Sequence, residues 1–455
     1  MSGLFDGLRV SLNSLSNWQT AMSVISDNVA NVNTEGYSRK RVVFESIPGQ
    51  LLPYGSLTNG AEISRIESLR DGFLERRILT ELQELGTLKG QEFGLRQIES
   101  IFSGVGAGIP DQLSTFYNSF LELSADPSSI ALRQGVISSG ENLASAIRDT
   151  AYNLDTLDLD SRAQIKDSVQ KVNELLNRIG KINDQLGAAE ARGVDGGALL
   201  DERNRLVRDL SEEIGILTYN TETGTQVITT TSGKNLLTGS RITELGVVDA
   251  AAGPQIIYMG QDVTTEIRSG KLGGYLSFQF NHLPTFKTAL NSFAAELAAG
   301  VNAVHQNGID LDGNAGTDFF AVTSGNEART IAVDLSDPRT VAASAPGTGV
   351  GDGTIAQEIA DLRDQTAAGL GGQSLNGFYS QLIFEVGLEN RFVEGSLETQ
   401  GSIISDLFAQ RESVSGVSLD EEAVNLLQFQ RSYQASARVI QVIDLLLEET
   451  INLIR

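Results

Sequence analysis

The sequence contains no cysteine, and this absence excludes several kinds of chemistry. The chain of 455 residues can form no disulfide, no thiolate metal site and no thiol nucleophile. The lack of cysteine does not identify the cellular compartment, because a secreted protein need not carry disulfides. Only two histidines occur, His282 and His305, and neither lies in an H-E-x-x-H frame. A zinc peptidase of that form is therefore excluded.

Basic residues are also scarce. Lys and Arg number 34 against 58 Asp and Glu, which gives a net charge of −24. This excess of carboxylates favours solubility and argues against nucleic acid or an anionic membrane as the main partner. The triplet Arg39-Lys40-Arg41 is too short to change that balance. We interpret it as a solvated basic face.

Long apolar runs are missing as well. No stretch is long enough to span a bilayer, so the sequence predicts no membrane segment. The first residues, MSGLFDGLRVSLNS, lack the basic start and unbroken apolar core of a secretory signal. If the protein leaves the cell, we expect a route that reads a different signal.

Two further catalytic signatures are absent. No G-x-S-x-G nucleophile elbow occurs. Ser-Gly-Lys occurs at 232–234 and 269–271, but a P-loop needs a glycine five residues before its Gly-Lys pair. Those positions hold Ile228 and Thr265. We therefore predict a protein that is not an enzyme and has no cofactor or metal.

The segment DLDGNAGTD, which begins at Asp310, partly matches a calcium-binding loop. Asp310, Asp312 and Asn314 occupy the first three ligand positions of an EF-hand. The sixth position holds Ala315 instead of glycine, and the twelfth holds Ala321 instead of glutamate. Because Asp, Asn and Gly also dominate ordinary turns, the pattern favours a turn over a calcium site.

Both ends of the chain carry apolar residues at coiled-coil spacing, which we call the terminal seams. Either pattern alone is typical of an amphipathic helix packed on its own domain. Its presence at both ends favours two helices that pair with each other or with neighbouring copies. The predicted seam residues are Leu8, Leu15, Trp18, Met22, Ile25, Val29, Leu426, Phe429, Tyr433, Ile440, Ile443 and Leu447.

Between the ends, helical periodicity gives way to Thr-rich and β-branched segments with Gly-centred turns. These segments predict a β-rich insertion within a helical chain. The expected fold is mainly α, with paired terminal coiled-coil helices, a helical-bundle body and a small outer β domain. We predict the following ranges: terminal helices at 1–40 and 416–455, a helical body at 41–215, 270–306 and 354–415, and the β-rich insertion at 216–269 and 307–353.

The stretch SDNVANVNTEGYSRKRVVF, which begins at Ser26, resembles the N-terminal signature of rod, hook and hook-associated proteins of the bacterial flagellum. In that family a helix ends in Asn and Ala residues, followed by Asn-Thr-x-Gly-Tyr and a basic strand. Local chemistry agrees, since asparagines suit a helix end and Gly36 suits a turn that other residues resist. The positions that match the signature are Asn28, Asn31, Asn33, Thr34, Gly36 and Tyr37.

Two further stretches narrow the resemblance within that family. SGVSLDEEAVNLLQFQRSYQASARVIQVIDLLLEETINLI, from Ser415, is similar to the C-terminal block of the first of its two hook–filament junction subunits. LAAGVNAVHQNGIDLDGNAGTDFF, from Leu297, is similar to a central helix and turn of the same subunit. The resemblance implies export through the flagellar type III apparatus and a ring of copies between hook and filament. It also implies contacts with the hook subunit and with the second junction protein.

The resemblance further implies a soluble export chaperone that covers the C-terminal helix before export, and an extracellular location after a cytoplasmic stage. Three alternatives stay open. The chain could be another axial protein of the family, such as the hook subunit or the second junction protein. It could be a secreted coiled-coil adhesin, which explains the terminal seams but not the signature. An enzyme within residues 216–353 has no visible catalytic constellation.

Overall fold

The computed structural model describes residues 2–34, 36–49, 51–52, 55–56, 58–104, 108–192, 196–221 and 225–454. Helices make up most of this chain. Within these ranges, none of the helices combines the length and the apolar character needed to cross a membrane.

Several helices begin where a polar side chain accepts hydrogen bonds from the first turn. Asp71 accepts from the backbone of Phe73 and Leu74, and Ser129 accepts from that of Leu132. The helices are α1 (Ser2–Ala30), α2 (Gly72–Ser103), α3 (Ile109–Ala125), α4 (Ile130–Ala191), α5 (Gly197–Glu213), α6 (Gly270–Ser277), α7 (Leu283–His305), α8 (Glu327–Thr330), α9 (Thr354–Asp361), α10 (Leu375–Ser415) and α11 (Leu419–Ile454).

The strands are short and all pair antiparallel. The strands are β1 (Lys40–Ser46), β2 (Leu51–Leu52), β3 (Gly55–Ser56), β4 (Ala61–Ser68), β5 (Ile216–Asn220), β6 (Gln226–Thr230), β7 (Asn235–Thr238), β8 (Arg241–Ile242), β9 (Leu245–Ala250), β10 (Gly253–Tyr258), β11 (Gln261–Asp262), β12 (Phe320–Ala321) and β13 (Ala332–Val333). β5–β6–β7–β8 form one sheet and β11–β10–β9 a second, while β1–β4, β2–β3 and β12–β13 are two-stranded.

Two large apolar cores stabilise the body. The first joins α3, the N-terminal half of α4, α7, α9 and the start of α10 around aromatic residues such as Phe116 and Phe293. The second joins the C-terminal half of α4, α5 and α6 to the sheets β5–β8 and β9–β11, with Ile179, Leu210 and Ile228 fully buried. Helix α4, 62 residues long, therefore contributes to both cores.

The predicted grouping of residues 307–353 with 216–269 is wrong. Phe319, Phe320 and Ile331 lie in the first core, whereas the strands of 216–269 belong to the second. These side chains pack on helices because burial of the large aromatic rings fixes the position of this irregular segment. The local sequence pattern does not show which core the rings will join.

Helix α2 packs between α10 and α6. Its Leu74, Ile78 and Leu82 pack against α10. On another face, α2 lies so close to α6 that only glycine fits at the contact. A Cβ atom on Gly90 would be 2.4 Å from the carbonyl oxygen of Lys271. Any larger side chain at that position would push the two helices apart.

The terminal helices pack on each other in opposite directions. The ring centroids of Trp18 and Phe429 are 5.4 Å apart, and Gly7 contacts Ile443. Trp18 also packs on Phe44 of β1, at 5.3 Å. The hairpin β1–β4 thus belongs with the terminal pair, and the assignment of strands β1 and β4 to the helical body is wrong. The mainly helical fold class with paired terminal helices and a central β-rich region is confirmed.

Candidate assembly site

Asn28 is the centre of the signature and is 1% exposed. Its Oδ1 accepts hydrogen bonds from the Tyr37 hydroxyl and the Lys40 backbone N–H, both at 2.9 Å. Its Nδ2 donates to the Lys40 carbonyl at 2.9 Å and to Glu422 Oε2 at 3.2 Å. All four hydrogen-bonding positions of the amide are used, so Asn28 holds the end of α1, the start of β1 and the start of α11 together.

The basic triplet contributes to the same network. Arg39 donates from Nε to Glu422 at 2.7 Å and pairs with Glu421 at 2.5 Å. Lys40 is 8% exposed and pairs with Asp27 at 2.9 Å. The interpretation of the triplet as a solvated basic face is therefore wrong for Arg39 and Lys40, because a buried glutamate requires a cationic partner.

Gly36 adopts the positive φ that its turn context suggested. Its φ is +81°, a conformation that side-chain-bearing residues rarely adopt. A Cβ atom at this position would also lie 3.1 Å from Nη2 of Arg208. Tyr37 follows and is buried, with its hydroxyl directed at Asn28. The turn thus brings the chain back from α1 towards β1.

The other signature residues lie on the outer side of the turn. Asn31 donates from Nδ2 to the carbonyl of Asp27 at 2.9 Å, one turn back in α1. Thr34 donates to Asn31 Oδ1 at 3.2 Å and is exposed, as is Asn33. Asn33 and Thr34 line a cleft of about 590 Å³ between the turn and the body. The structure therefore divides the signature into a buried part and a solvent-facing part.

The seam residues on α11 all lie on one buried or half-buried face. Ile443 is 8% exposed, and Tyr433, Ile440 and Leu447 are half-buried. On α1, Ile25 is 4% exposed, whereas Val29 is 41% exposed. Val29 is therefore not part of the packed seam. It lies beside Asn28, whose polar contacts occupy the inner face at that level.

Both terminal helices carry a second apolar face that points outward. The seven-residue spacing in the sequence identified only the face through which α1 and α11 pack on each other. The outward face consists of Phe5 and Leu12 on α1 and of Val424, Leu427, Val439, Val442, Leu445 and Leu446 on α11. Exposed apolar side chains grouped on helices in this way are typical of a protein–protein contact.

The polar residues that join the turn to the body were missed by sequence reasoning. Glu75, Arg208 and Arg411 lie on three different helices, and Arg411 donates to the carbonyl of Gly36 at 2.9 Å. No local spacing connects them. The acidic pair Glu421-Glu422 was visible within the C-terminal resemblance, but its partner Arg39 was not.

The Asp310 turn is satisfied by its own chain. Asp310 Oδ1 accepts from the backbone of Asp312 and Asn314, both at 2.8 Å, and Asp312 pairs with Arg339. Their oxygens are occupied by protein donors, as in an Asx turn. Across the described ranges, no group of three or more His, Asp or Glu side chains is arranged to hold a metal ion.

His305, in the same region, is fully buried as a neutral ring. Its Nε2 accepts from the Ala342 N–H at 2.8 Å, so the hydrogen is on Nδ1, which donates to the Thr317 carbonyl at 2.6 Å. Burial lowers the pKa of His305. Protonation would place an N–H of the imidazolium directly against that of Ala342.

The stability of the body should therefore fall in mild acid. Because the folded-state pKa of His305 lies below the unfolded value of 6.5, its contribution is complete above pH 6.5 and is lost as the pH falls towards the folded pKa. We expect the free energy of unfolding to fall by up to about 1.4 kcal/mol per pH unit in that window. Urea unfolding between pH 7 and 5 measures this fall, and His305→Gln should flatten the profile.

Replacement of Gly36 tests the turn. Gly36→Val should disrupt it, because a β-branched residue tolerates φ of +81° badly and its Cβ would crowd Arg208. We expect a cost of about 1–3 kcal/mol for the turn, with loss of assembly. Gly36→Asn is the matched control, since asparagine accepts positive φ more readily. Motility at the parental level in the Gly36→Val strain would contradict the requirement.

Comparison with known families places three flagellar patterns along the chain in order. The model described as "Flagella basal body rod protein" matches residues 8–37. The "Flagellar hook-associated protein FlgK helical domain" matches residues 95–320. The "Flagellar basal body rod FlgEFG protein C-terminal" matches residues 410–453. The two terminal matches cover most of α1 and α11, and the central match covers most of the body.

Individual relatives agree over the whole chain. Flagellar hook-associated protein 1 of Escherichia coli (strain K12) is 25% identical over 551 residues and covers all of both chains. The protein of that name from Bacillus subtilis (strain 168) is 27% identical over 509 residues, with 99% of each chain covered. The flagellar hook junction protein FlgK from Burkholderia pseudomallei has a similar fold. Its TM-score is 0.68 at 14% identity, covering 74% of this chain and all of the other.

Proposed function

Because this chain belongs to the family of flagellar hook-associated protein 1, we propose that it is a structural subunit of the junction between the hook and the filament of the bacterial flagellum. The family is one of structural flagellar proteins. The observation that carries the proposal is the outward apolar face on the paired terminal helices, beside terminal segments that match rod-type flagellar proteins.

The outward faces support the proposal that copies of this chain form a ring. An isolated α1–α11 pair covers only the seam, and Val442 and Leu445 are left 54% and 65% exposed. A second copy of the pair offers apolar side chains of the same kind, so neighbours in a closed ring can cover each other's outward faces. A ring would therefore bury both faces of each terminal helix.

The family resemblance suggests the remaining partners that we propose. A hook subunit on one side and a second junction protein on the other would contact the ring through its two edges. Before export, a soluble chaperone would cover the outward face of α11, since an exposed apolar helix is prone to association. We propose that the chain leaves the cytoplasm through the flagellar type III apparatus and functions outside the cell.

Another axial protein of the family is the second candidate. Rod-type matches at both ends suit it equally well. The match to a hook-associated helical domain over residues 95–320 favours the junction subunit, because it covers the body and not only the shared terminal helices.

The experiment is a deletion strain complemented with variants. The deletion should give non-motile cells with bare hooks and filament protein free in the medium, and the parent chain should restore swimming. Val442→Asp should fail to restore it, because a carboxylate buried between neighbouring pairs is costly. Gln441→Asp, at the adjacent exposed position, is the control and should restore it. Intact filaments in the deletion strain would contradict the junction role.

A further inference from the structure

A single carboxylate connects two arginines beside the signature turn. Glu75 on α2 accepts from Arg411 Nε on α10 at 2.9 Å and pairs with Arg208 Nη1 on α5 at 3.3 Å. The side chains of Arg411 and Arg208 are 6% and 9% exposed, and that of Glu75 is 22% exposed. We call these three residues the joint.

The joint contacts the turn directly. Arg411 donates from Nη2 to the carbonyl oxygen of Gly36 at 2.9 Å, while its Nε is held by Glu75. The guanidinium of Arg208 lies against Gly36 from another side. One planar fork therefore connects a helix of the body to the backbone of the turn, which a flexible lysine could not do in the same geometry.

Hydrogen bonds from the residues that flank β1 and β4 also join the turn to the body. The backbone N–H of Arg39 donates to the carbonyl of Ser415 at 2.8 Å. Arg70 donates to Ser38 Oγ at 3.0 Å and pairs with Asp201 of α5 at 2.6 Å. Helix α11 packs mainly on α1, and α1 also packs on the β1–β4 hairpin, so these contacts are placed where the terminal pair meets the body.

Charge makes Glu75 the central member. Without its carboxylate, two nearly buried guanidinium groups would face each other with no shared counter-ion. Glu412, the other acid near Arg411, is 3.9 Å away and 62% exposed. Breaking one member of a buried ionic group leaves an uncompensated charge, which the structure can relieve by letting the turn move away from the body.

We propose that Glu75 and Arg411 are positioning residues that set the orientation of the terminal helix pair relative to the body. In a ring, each copy must present its terminal pair at the same angle, so a variable angle would prevent closure. That consequence for assembly rests on the proposed function; the orientation itself does not.

The absence of cysteine makes the test direct, since two introduced cysteines are the only labelling sites. Spin labels at Ser16→Cys and Lys171→Cys report the distance between α1 and α4. Ser16 lies 14 residues before the end of α1 at Ala30, about 21 Å along a helix. A swing of roughly 15° about the joint would then displace the label by roughly 5 Å. A second pair, Lys171→Cys with Glu398→Cys, lies within the body.

In the purified parent chain we expect one narrow distance distribution for each label pair. Glu75→Gln and Arg411→Leu should shift or broaden the Ser16–Lys171 distribution by roughly 5 Å or more and leave the Lys171–Glu398 distribution unchanged. Arg411→Lys, which keeps the charge, should give a smaller change in the same direction. Glu84→Gln, an exposed acid on the same helix, is the matched control and should change neither.

Three results would overturn the proposal: unchanged Ser16–Lys171 distances in both joint variants, equal broadening of both label pairs, or a broad Ser16–Lys171 distribution in the parent itself. Because the measurement uses purified protein, it is independent of the deletion-strain experiment. A failure of the junction role would leave the distance result standing, and the reverse also holds.

Discussion

Ile443→Asp is expected to abolish assembly while leaving the body folded. Ile443 is 8% exposed and lies in the α1–α11 seam, where its Cδ1 would be 3.3 Å from a Cβ on Gly7. The substitution removes about 1.5–3 kcal/mol of apolar burial and places an unpaired carboxylate between the helices, which costs more still. The terminal pair should separate, and the complemented deletion strain should stay non-motile.

The body supplies the internal control. Among the described residues, the two large cores include none from α1 or α11, so the main unfolding transition should shift by less than about 0.5 kcal/mol. Ile440→Asp, at a half-buried position on the same face, should act in the same direction with a smaller effect. Gln441→Asp should be neutral. A large fall in the unfolding midpoint with Ile443→Asp would mean that α11 stabilises the body directly.

Asn28→Leu is expected to disconnect the signature turn from both terminal helices. Leucine has a similar volume but removes the hydrogen bonds that Asn28 makes to the Lys40 N–H, to the Lys40 carbonyl and to Glu422. Each buried polar group that loses its hydrogen bond costs about 1–3 kcal/mol. The summed cost in folding free energy exceeds that of most single surface substitutions. The contact between α1, β1 and α11 should therefore open.

Amide hydrogen exchange measures that opening. Peptides covering 37–46 and 419–429 should exchange faster in Asn28→Leu, while peptides from α3 and α7 should not change. Asn33→Leu is the matched control, because Asn33 belongs to the same motif but is exposed. If both variants exchange alike at these segments, the hydrogen bonds of Asn28 do not hold the turn in solution.

Periodicity allowed the seam of α11 to be predicted residue by residue. Tyr433, Ile440 and Leu447 repeat every seventh position, and that repeat alone defines one face of a helix. Gly36 was predictable for a similar local reason, since its Asn-Thr-Glu-Gly-Tyr context suggests a backbone conformation that glycine accepts without strain. The family resemblance then indicated the kind of assembly, that of the flagellar axial proteins.

The same reasoning failed where long-range contacts decide. Val29 follows the seam spacing but is exposed, because the buried amide of Asn28 takes the inner face at the end of α1. Arg39 and Lys40 look like a solvated basic run but pair with Glu422 and Asp27. Ion-pair partners that are distant in the sequence produce no periodic pattern from which they could be predicted.

The helical class, the apolar face of each terminal helix, the β-rich character of a central segment and the signature turn could be predicted from the sequence, because each of these depends on residues close together in the chain. Long-range packing placed residues 307–353 in the first core, paired α1 with α11 and put the β1–β4 hairpin beside them. It also brought Glu75 to Arg411, 336 positions away. Such contacts are selected by the shape and charge of the folded chain, which no window of neighbouring residues contains.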